Sequence, residues 1–330
     1  MLKSLIAQLL AASFLVTSAQ AEIAATTPSH AGKKDSALDP EKQILSLSSV
    51  AGKKSQNTQV KISNKLPSDI PTTCNIIGKD AEFFSIVKSP KKISANSFGV
   101  VEIAFNSGKE QRLYSAVLQI GTTEGGCMIQ LQGVGLAAFE GKNEPPLQQI
   151  VNALGIAMDV GGKTLSLNSK KATIGDSVAA SYFRVAKGAH FHITPIARFS
   201  PPGKVPVGLI FKGSDSKQGI GQLVASSKDF PDAHQCLFPK FIGHQRSIQT
   251  VPTQPVFGFY MEGHKYVSVT DPTRQKGAPI MHTARIYPVK SMQGRSMKNA
   301  WLLGFEEASN GDYQDAVFLL ENVIPVTAKD

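Results

Sequence analysis

Along much of the chain, apolar and polar residues alternate in short runs. Gln59-Val-Lys-Ile62, Val101-Glu-Ile-Ala-Phe105, Ala116-Val-Leu-Gln-Ile120 and Cys127-Met-Ile-Gln-Leu-Gln-Gly-Val134 are bounded by Gly, Ser and Thr turns. A period of two sends successive side chains to opposite faces, so each run can bury one face against a second sheet. Seven or so short strands in about 95 residues predict a sandwich of two antiparallel sheets over 44–140. Beyond Gly162 the pattern returns in Ser181–Val185, Phe191–Ile193, Val207–Phe211, Val256–Tyr260, His282–Tyr287, Trp301–Phe305 and Ala316–Leu320. Proline and glycine between these runs exclude a long helix and predict a second, larger β-sandwich over 141–330. One stretch departs from the period of two. Leu147, Ile150, Val151 and Leu154 fall at i, i+3, i+4 and i+7, behind Pro145-Pro146 and ahead of Gly155. That spacing predicts one short amphipathic helix lying on the second sandwich.

The N-terminus has a different texture. A positive Met1-Leu-Lys3, an apolar run from Leu5 to Val16 and the small-x-small sequence Ala19-Gln20-Ala21 predict a signal peptide over 1–21, with the mature chain starting at Glu22. A turn-rich linker follows over 22–43. The expected destination is secreted or periplasmic. No later apolar stretch approaches the ~18 residues of a membrane span, so an integral membrane protein is not expected. Export leads to an oxidising space, where Cys74 and Cys127, both in strand-like sequence of the first sandwich, are the expected disulfide; Cys236 is left single. The cysteines carry no C-x-x-C spacing that would suggest zinc.

Charge is uneven. Residues 141–330 hold 21 Lys and Arg against 14 Asp and Glu, whereas residues 22–140 hold 13 against 11. A basic exported surface points to an acidic polysaccharide or another anionic polymer of a cell surface as partner. Basic runs interleaved with aromatics are missing, which argues against nucleic acid.

Two family resemblances sharpen the picture. The succession Phe84-x-Ile86, Ser89-Pro90, Ile93-Ser-Ala, Val101-x-Ile-x-Phe105, Tyr114–Ile120 and Leu131-Gln-Gly-Val-Gly135 resembles exported bacterial Ig-like modules of the abnormal-spindle type, also called choice-of-anchor domains. The resemblance covers about 44–138 and implies a spacer or docking module without a catalytic set. The stretch Leu303-Gly-Phe-Glu-Glu307 through Asp312-Tyr-Gln-Asp315 to Val323 is similar to the end of a domain of unknown function in exported bacterial proteins. There an acidic Asp-Tyr-x-Asp turn leads into a hydrophobic last strand. Asn143-Glu-Pro-Pro-Leu147, Phe199-Ser-Pro-Pro-Gly203, Phe257-Gly-Phe-Tyr260 and Ala284–Pro288 extend that likeness over roughly 143–325. It implies attachment to a surface or glycan. The expected fold class is therefore all-β: an Ig-like antiparallel sandwich plus a larger, jelly-roll-like β-sandwich with one short helix.

The sharpest candidate chemistry is the acidic turn. Residues 306–321 carry five carboxylates and no basic residue, inside an otherwise basic region. Glu306, Asn310, Asp312 and Asp315 form a set of oxygen ligands suited to a hard cation such as Ca²⁺. Asn310 and Gln314 depart from the related turns, which lowers the charge available to a metal. A capped turn explains the same residues, with Asn and Asp bonding the backbone and Gly311 taking positive φ. His190 and His192 share one face of a strand and could hold a transition metal, with no third ligand evident. Gly175-Asp-Ser177 lacks the α/β context of a lipase nucleophile and reads as a turn. Glu306 and Glu307 are adjacent, so on a strand they face opposite ways and cannot flank one glycosidic bond.

These readings lead to an exported, non-catalytic binding protein that attaches to a surface polymer or glycan, acidic ones included, or to a protein partner. Tyr260, Tyr287 and Trp301 are the aromatic candidates for stacking on sugar rings. A carbohydrate-active enzyme and a structural spacer in a surface assembly are the alternatives.

Overall fold

The computed structural model describes residues 37–122, 125–228, 230–243 and 245–326. The expected signal peptide over 1–21 and nearly all of the expected linker lie outside these residues. The end of the linker stretch is already structured: Leu38–Pro40 pairs antiparallel with Thr58–Asn64.

The chain is all-β apart from one short α-helix and three 3₁₀ turns among the described residues. The N-terminal strands form two four-stranded sheets. One runs in the order Leu38–Pro40, Thr58–Asn64, Phe98–Phe105, Phe84–Lys88; the other in the order Ile44–Val50, Cys127–Leu136, Arg112–Gly121, Thr73–Ile77. Their inner faces meet in a core that includes Val60, Ile62, Val101 and Ile103 from the first sheet and Leu45, Leu118, Ile120 and Leu131 from the second. Gly133 has no side chain because the Phe105 ring occupies the space: a Cβ there would lie 2.5 Å from it. Every pairing in these two sheets is antiparallel but one. Ile44–Val50 runs parallel to Cys127–Leu136, with Leu45 opposite Leu131.

The C-terminal strands build two six-stranded sheets. One carries Val205–Phe211, Phe257–Glu262 and Phe183–Val185; the other is centred on Phe191–Phe199, Ala316–Glu321 and Ala300–Phe305. Phenylalanines dominate between them, among them Phe183, Phe191, Phe211, Phe257, Phe305 and Phe318.

The outer face of that last sheet is also buried. Ile196, Phe199, Tyr287, Leu302, Val317 and Leu319 pack on the helix, on residues 156–174 and on Val50, Val134 and Leu136 of the N-terminal sheets. The helix spans Leu147–Ala153, with Leu147, Ile150 and Val151 buried as their spacing predicts. It stops at Gly155, whose φ of +62° suits glycine and whose missing Cβ would stand 2.4 Å from Ile44 Cδ1. Within the described residues no helix is long and apolar enough to cross a membrane.

Candidate functional site

The acidic turn joins Ala300–Phe305 to Ala316–Glu321, whose pairing closes with Phe305 opposite Ala316. Ten residues between antiparallel strands would ordinarily project into solvent. Here only the tip, residues 308–310, reaches the surface, while Glu306, Glu307 and residues 311–315 are buried. The loop is held down from several sides. Leu167 N donates to Gly311 O at 2.7 Å, Tyr313 Oη donates to His282 O at 2.7 Å, and the Tyr266 and Ser268 hydroxyls donate to Ala308 O and Glu306 O. Gly311 takes φ +71°, and Tyr313 is pushed to φ +56°, a costly conformation for a bulky residue.

Inside the loop, Glu306 is the organiser. Its Oε1 accepts from Ala308 N at 2.8 Å and its Oε2 from Asp312 N at 2.8 Å and Tyr313 N at 3.4 Å. Asp315 Oδ2 accepts from Glu307 N at 2.5 Å. Asp312 Oδ2 accepts from the amides of Gln314, at 3.0 Å, and Asn310. One oxygen from each of Glu306, Asp312 and Asp315 lies within 4.8 Å of the others, the one such cluster of potential metal ligands among the described residues. Asn310, expected among the ligands, is exposed at the tip and turns its amide NH₂ towards Asp312; it stands outside the buried trio.

A fourth carboxylate comes from the Asn143-Glu-Pro-Pro segment ahead of the helix. Buried Glu144 accepts from Gln235 Nε2 at 2.7 Å and Gln314 Nε2 at 3.1 Å, so two amides tie it to Asp312. Burial pushes the Asp312 and Asp315 carboxyls well above the ordinary carboxylate range, and the neighbouring carboxylates push further. Burial also raises Glu144, opposed by its two amide donors. The buried arginines nearby form no ion pair with these carboxylates, although Arg198 lies close enough for the charges of Glu307 and Asp315 to act on its guanidinium. Arg198 donates to Ser200 Oγ and to the carbonyls of Val224, Pro201 and Gly203; Arg285 donates to the carbonyls of Asn168 and Ala172.

A second site was not visible in the sequence. Ile44–Val50, the 54–58 turn, Thr194-Pro195 and the 230–240 segment enclose a cleft of about 450 Å³. Lys42, Lys54, Lys240 and Arg246 line it, against one lining carboxylate, Asp232, which is bound by Lys53 at 3.2 Å. None of the four cations forms an ion pair among the described residues. Burial lowers the Lys42 pKa and positive charge from Arg246 and Arg295 adds to the effect, while Glu41 opposes it. Phe230, with Lys240 Nζ 5.1 Å above its ring, and Phe238, at the strained φ of +54°, supply apolar wall. Gln235 lines the cleft and bonds Glu144, which links the cleft wall to the acidic loop.

Three expectations need correction. Cys74 and Cys127 are free thiols. They sit on strands either side of Arg112–Gly121, each opposite Ile120, so two strand spacings of about 4.8 Å and one isoleucine separate them, beyond disulfide reach. The aromatic trio forms no stacking surface. Tyr287 is fully buried with its hydroxyl on Val160 O, and Tyr260 is buried beneath Lys217. Trp301 points to the opposite face of the sheet from Tyr287, edge-on to Phe183, and donates to Val323 O. The ligand set loses Asn310, as described above. His190 and His192 do come together, their ring centroids 5.6 Å apart, but no third metal ligand joins them among the described residues. Ser177 accepts from Ile174 N at 2.7 Å, the role of a turn residue.

No protein-family profile matches the chain, and no curated protein matches it. Solved structures with a similar chain path include the YadV chaperone (11% identity, 69% of this chain and 94% of that one, TM-score 0.26). The ASH/PapD-like domain of human CEP192 covers 31% of this chain and 87% of its own at 10% identity and TM-score 0.24. WR4, a C. elegans MSP family member, covers 30% and 98% at 10% identity and TM-score 0.22.

Proposed function

We propose that the protein is an exported, non-catalytic binding protein that seats an acidic surface glycan or polymer in the cleft beside Ile44–Val50. The observation that carries this reading is the set of four cations, Lys42, Lys54, Lys240 and Arg246, grouped around one cavity and forming no ion pair among the described residues. Lys42 and Lys240 are half-buried and Lys54 and Arg246 exposed at the rim, and cations gathered around a concavity attract an anion more strongly than the same charges scattered over a surface. The wall also offers Ser48, Gln56, Asn57 and Thr194, whose hydroxyls and amides suit the hydroxyl groups of a sugar. Phe230 and Phe238 take the stacking role first assigned to Tyr260, Tyr287 and Trp301. The N-terminal signal pattern supports a secreted or periplasmic setting for such binding.

The test is a panel of acidic and neutral polysaccharides at low and high salt, with the wild type and the Lys42→Glu/Arg246→Glu double variant. Uronate- or sulfate-bearing polymers are expected to bind, to weaken at high salt, and to lose about tenfold or more in affinity to the double variant. Equal binding of neutral polymers, or an unchanged affinity in the variant, overturns the reading.

A further inference from the structure

The acidic loop concentrates carboxylates that the protein's own cations offset only in part, through His264 against Glu307 and the field of Arg198. Glu306, Asp312 and Asp315 are at most 5% exposed, their oxygens converge within 4.8 Å, and no Lys or Arg pairs with them among the described residues. Carboxylates buried this close repel one another, and a cation seated between their oxygens relieves that repulsion. The pattern of unsatisfied atoms points the same way. Among the described residues six buried side-chain atoms lack a hydrogen-bond partner, and three lie in this one loop: Asp312 Oδ1, Gln314 Oε1 and Glu307 Oε1, the last with His264 Nδ1 3.3 Å away. All three are oxygens. Gln314 is 0% exposed, and its amide nitrogen donates to Asp312 Oδ2 at 3.0 Å and to Glu144 Oε2 at 3.1 Å, so the nitrogen end of the carboxamide faces the carboxylates. A carboxylate oxygen buried without a donor, Asp312 Oδ1, among three converging carboxylates is what an oxygen-coordinated cation leaves when it is subtracted.

We propose that Glu306, Asp312 and Asp315 bind a hard divalent cation of the calcium class. The donor set is all oxygen and holds no imidazole or thiolate, which selects against zinc and copper. Glu306 is pre-oriented by three backbone N–H groups, Asp315 by one, and Asp312 by two side-chain amides, so little ordering is left for the cation to drive. Asn310 and Gly311 shape the turn without supplying a ligand. The site is independent of the cleft ligand proposed above.

The experiment uses the full-length chain, stripped with chelator and then titrated with CaCl₂, read by thermal melting and by Tb³⁺ luminescence excited through tyrosine. Tyr313 is the natural sensitiser, since it lies between two ligands in sequence. Calcium at about 100 times its dissociation constant is expected to raise the melting temperature by about 4 °C, and terbium to give a tyrosine-sensitised signal that calcium displaces. Asp312→Asn keeps the shape of the side chain and removes its charge. It is expected to abolish both responses while melting no lower than the wild type without calcium, because it relieves repulsion. Ser309→Ala, at the exposed tip, keeps both responses. Charge compensation by protons alone predicts no calcium shift at about 5 mM and no sensitised terbium; that outcome overturns the proposal, as does an Asp312→Asn variant that is folded and still responds.

Discussion

His234 offers a sharp test of the buried polar architecture behind the cleft. It is 6% exposed, its ring stacks on Phe139 at 5.0 Å, and its Nδ1 is hydrogen-bonded to the Ser226 hydroxyl. Burial lowers its pKa from 6.5 to about 4, and the Arg198 guanidinium adds to that; Asp232 opposes it and Lys53 reinforces it weakly. A histidine with a depressed folded pKa takes up its proton preferentially when unfolded. Its contribution is therefore fully present above pH 6.5, is lost as the pH falls through that value, and levels off near pH 4. With those two pKa values, the folded state loses about 2 kcal/mol between pH 7 and pH 5 on account of this one ring. The assay is urea unfolding of the wild type and of His234→Gln at intervals across that range. Other buried groups titrate in the same window, and Glu144, whose pKa is raised, works in the opposite direction. Subtracting the two curves cancels their contributions. The wild-type advantage over the variant is expected to shrink by about 2 kcal/mol as the pH drops from 7 to 5. A difference that stays flat, or grows towards acid, refutes the assignment of a buried neutral imidazole.

Phe318→Ala removes a fully buried ring that stacks on Phe241 and meets Phe305 edge-on, and is expected to cost about 3–5 kcal/mol by chemical denaturation. Gly155→Ala forces a Cβ against Ile44 at positive φ and should destabilise by about 1–3 kcal/mol. Thiol titration of the chain, unfolded without reductant, is expected to count all three cysteines; a count of one would show that Cys74 and Cys127 had paired despite their separation.

Much of the β-architecture was written in the alternation. Val101–Phe105, Ala116–Ile120 and Ala316–Leu320 all lie within observed strands, and the 147–154 spacing gave the helix. Ser214–Leu223 escaped notice because it is an edge strand whose side chains are mostly polar and solvent-facing, so it carries no apolar period. The misplacement of Tyr287 has a different cause. Its sheet is covered on both faces, by the phenylalanine core on one and by the helix on the other, so the parity that separates inside from outside in a half-exposed strand carries no information there. The carboxylate centre was legible because Glu306, Asp312 and Asp315 are close in sequence. Glu144 reaches it through Gln235 and Gln314, from 91 and 170 residues away, and the cleft gathers cations from positions 42 to 246; neither grouping leaves a local signature. The cysteine pairing failed because it required knowing which strand lies between the two.

The parallel register between Ile44–Val50 and Cys127–Leu136 bears on how the molecule assembles as it emerges from a ribosome or a translocon. Its first long strand has no permanent neighbour on that side until residue 136 has appeared, so an apolar Leu45 and Leu47 must wait through some eighty residues of synthesis. Such delayed pairing is slow and leaves an open edge for wrong partners in the meantime. A chaperone or crowding partner that occupies this edge would act on the nascent chain, and its value would vanish once the late strand arrived.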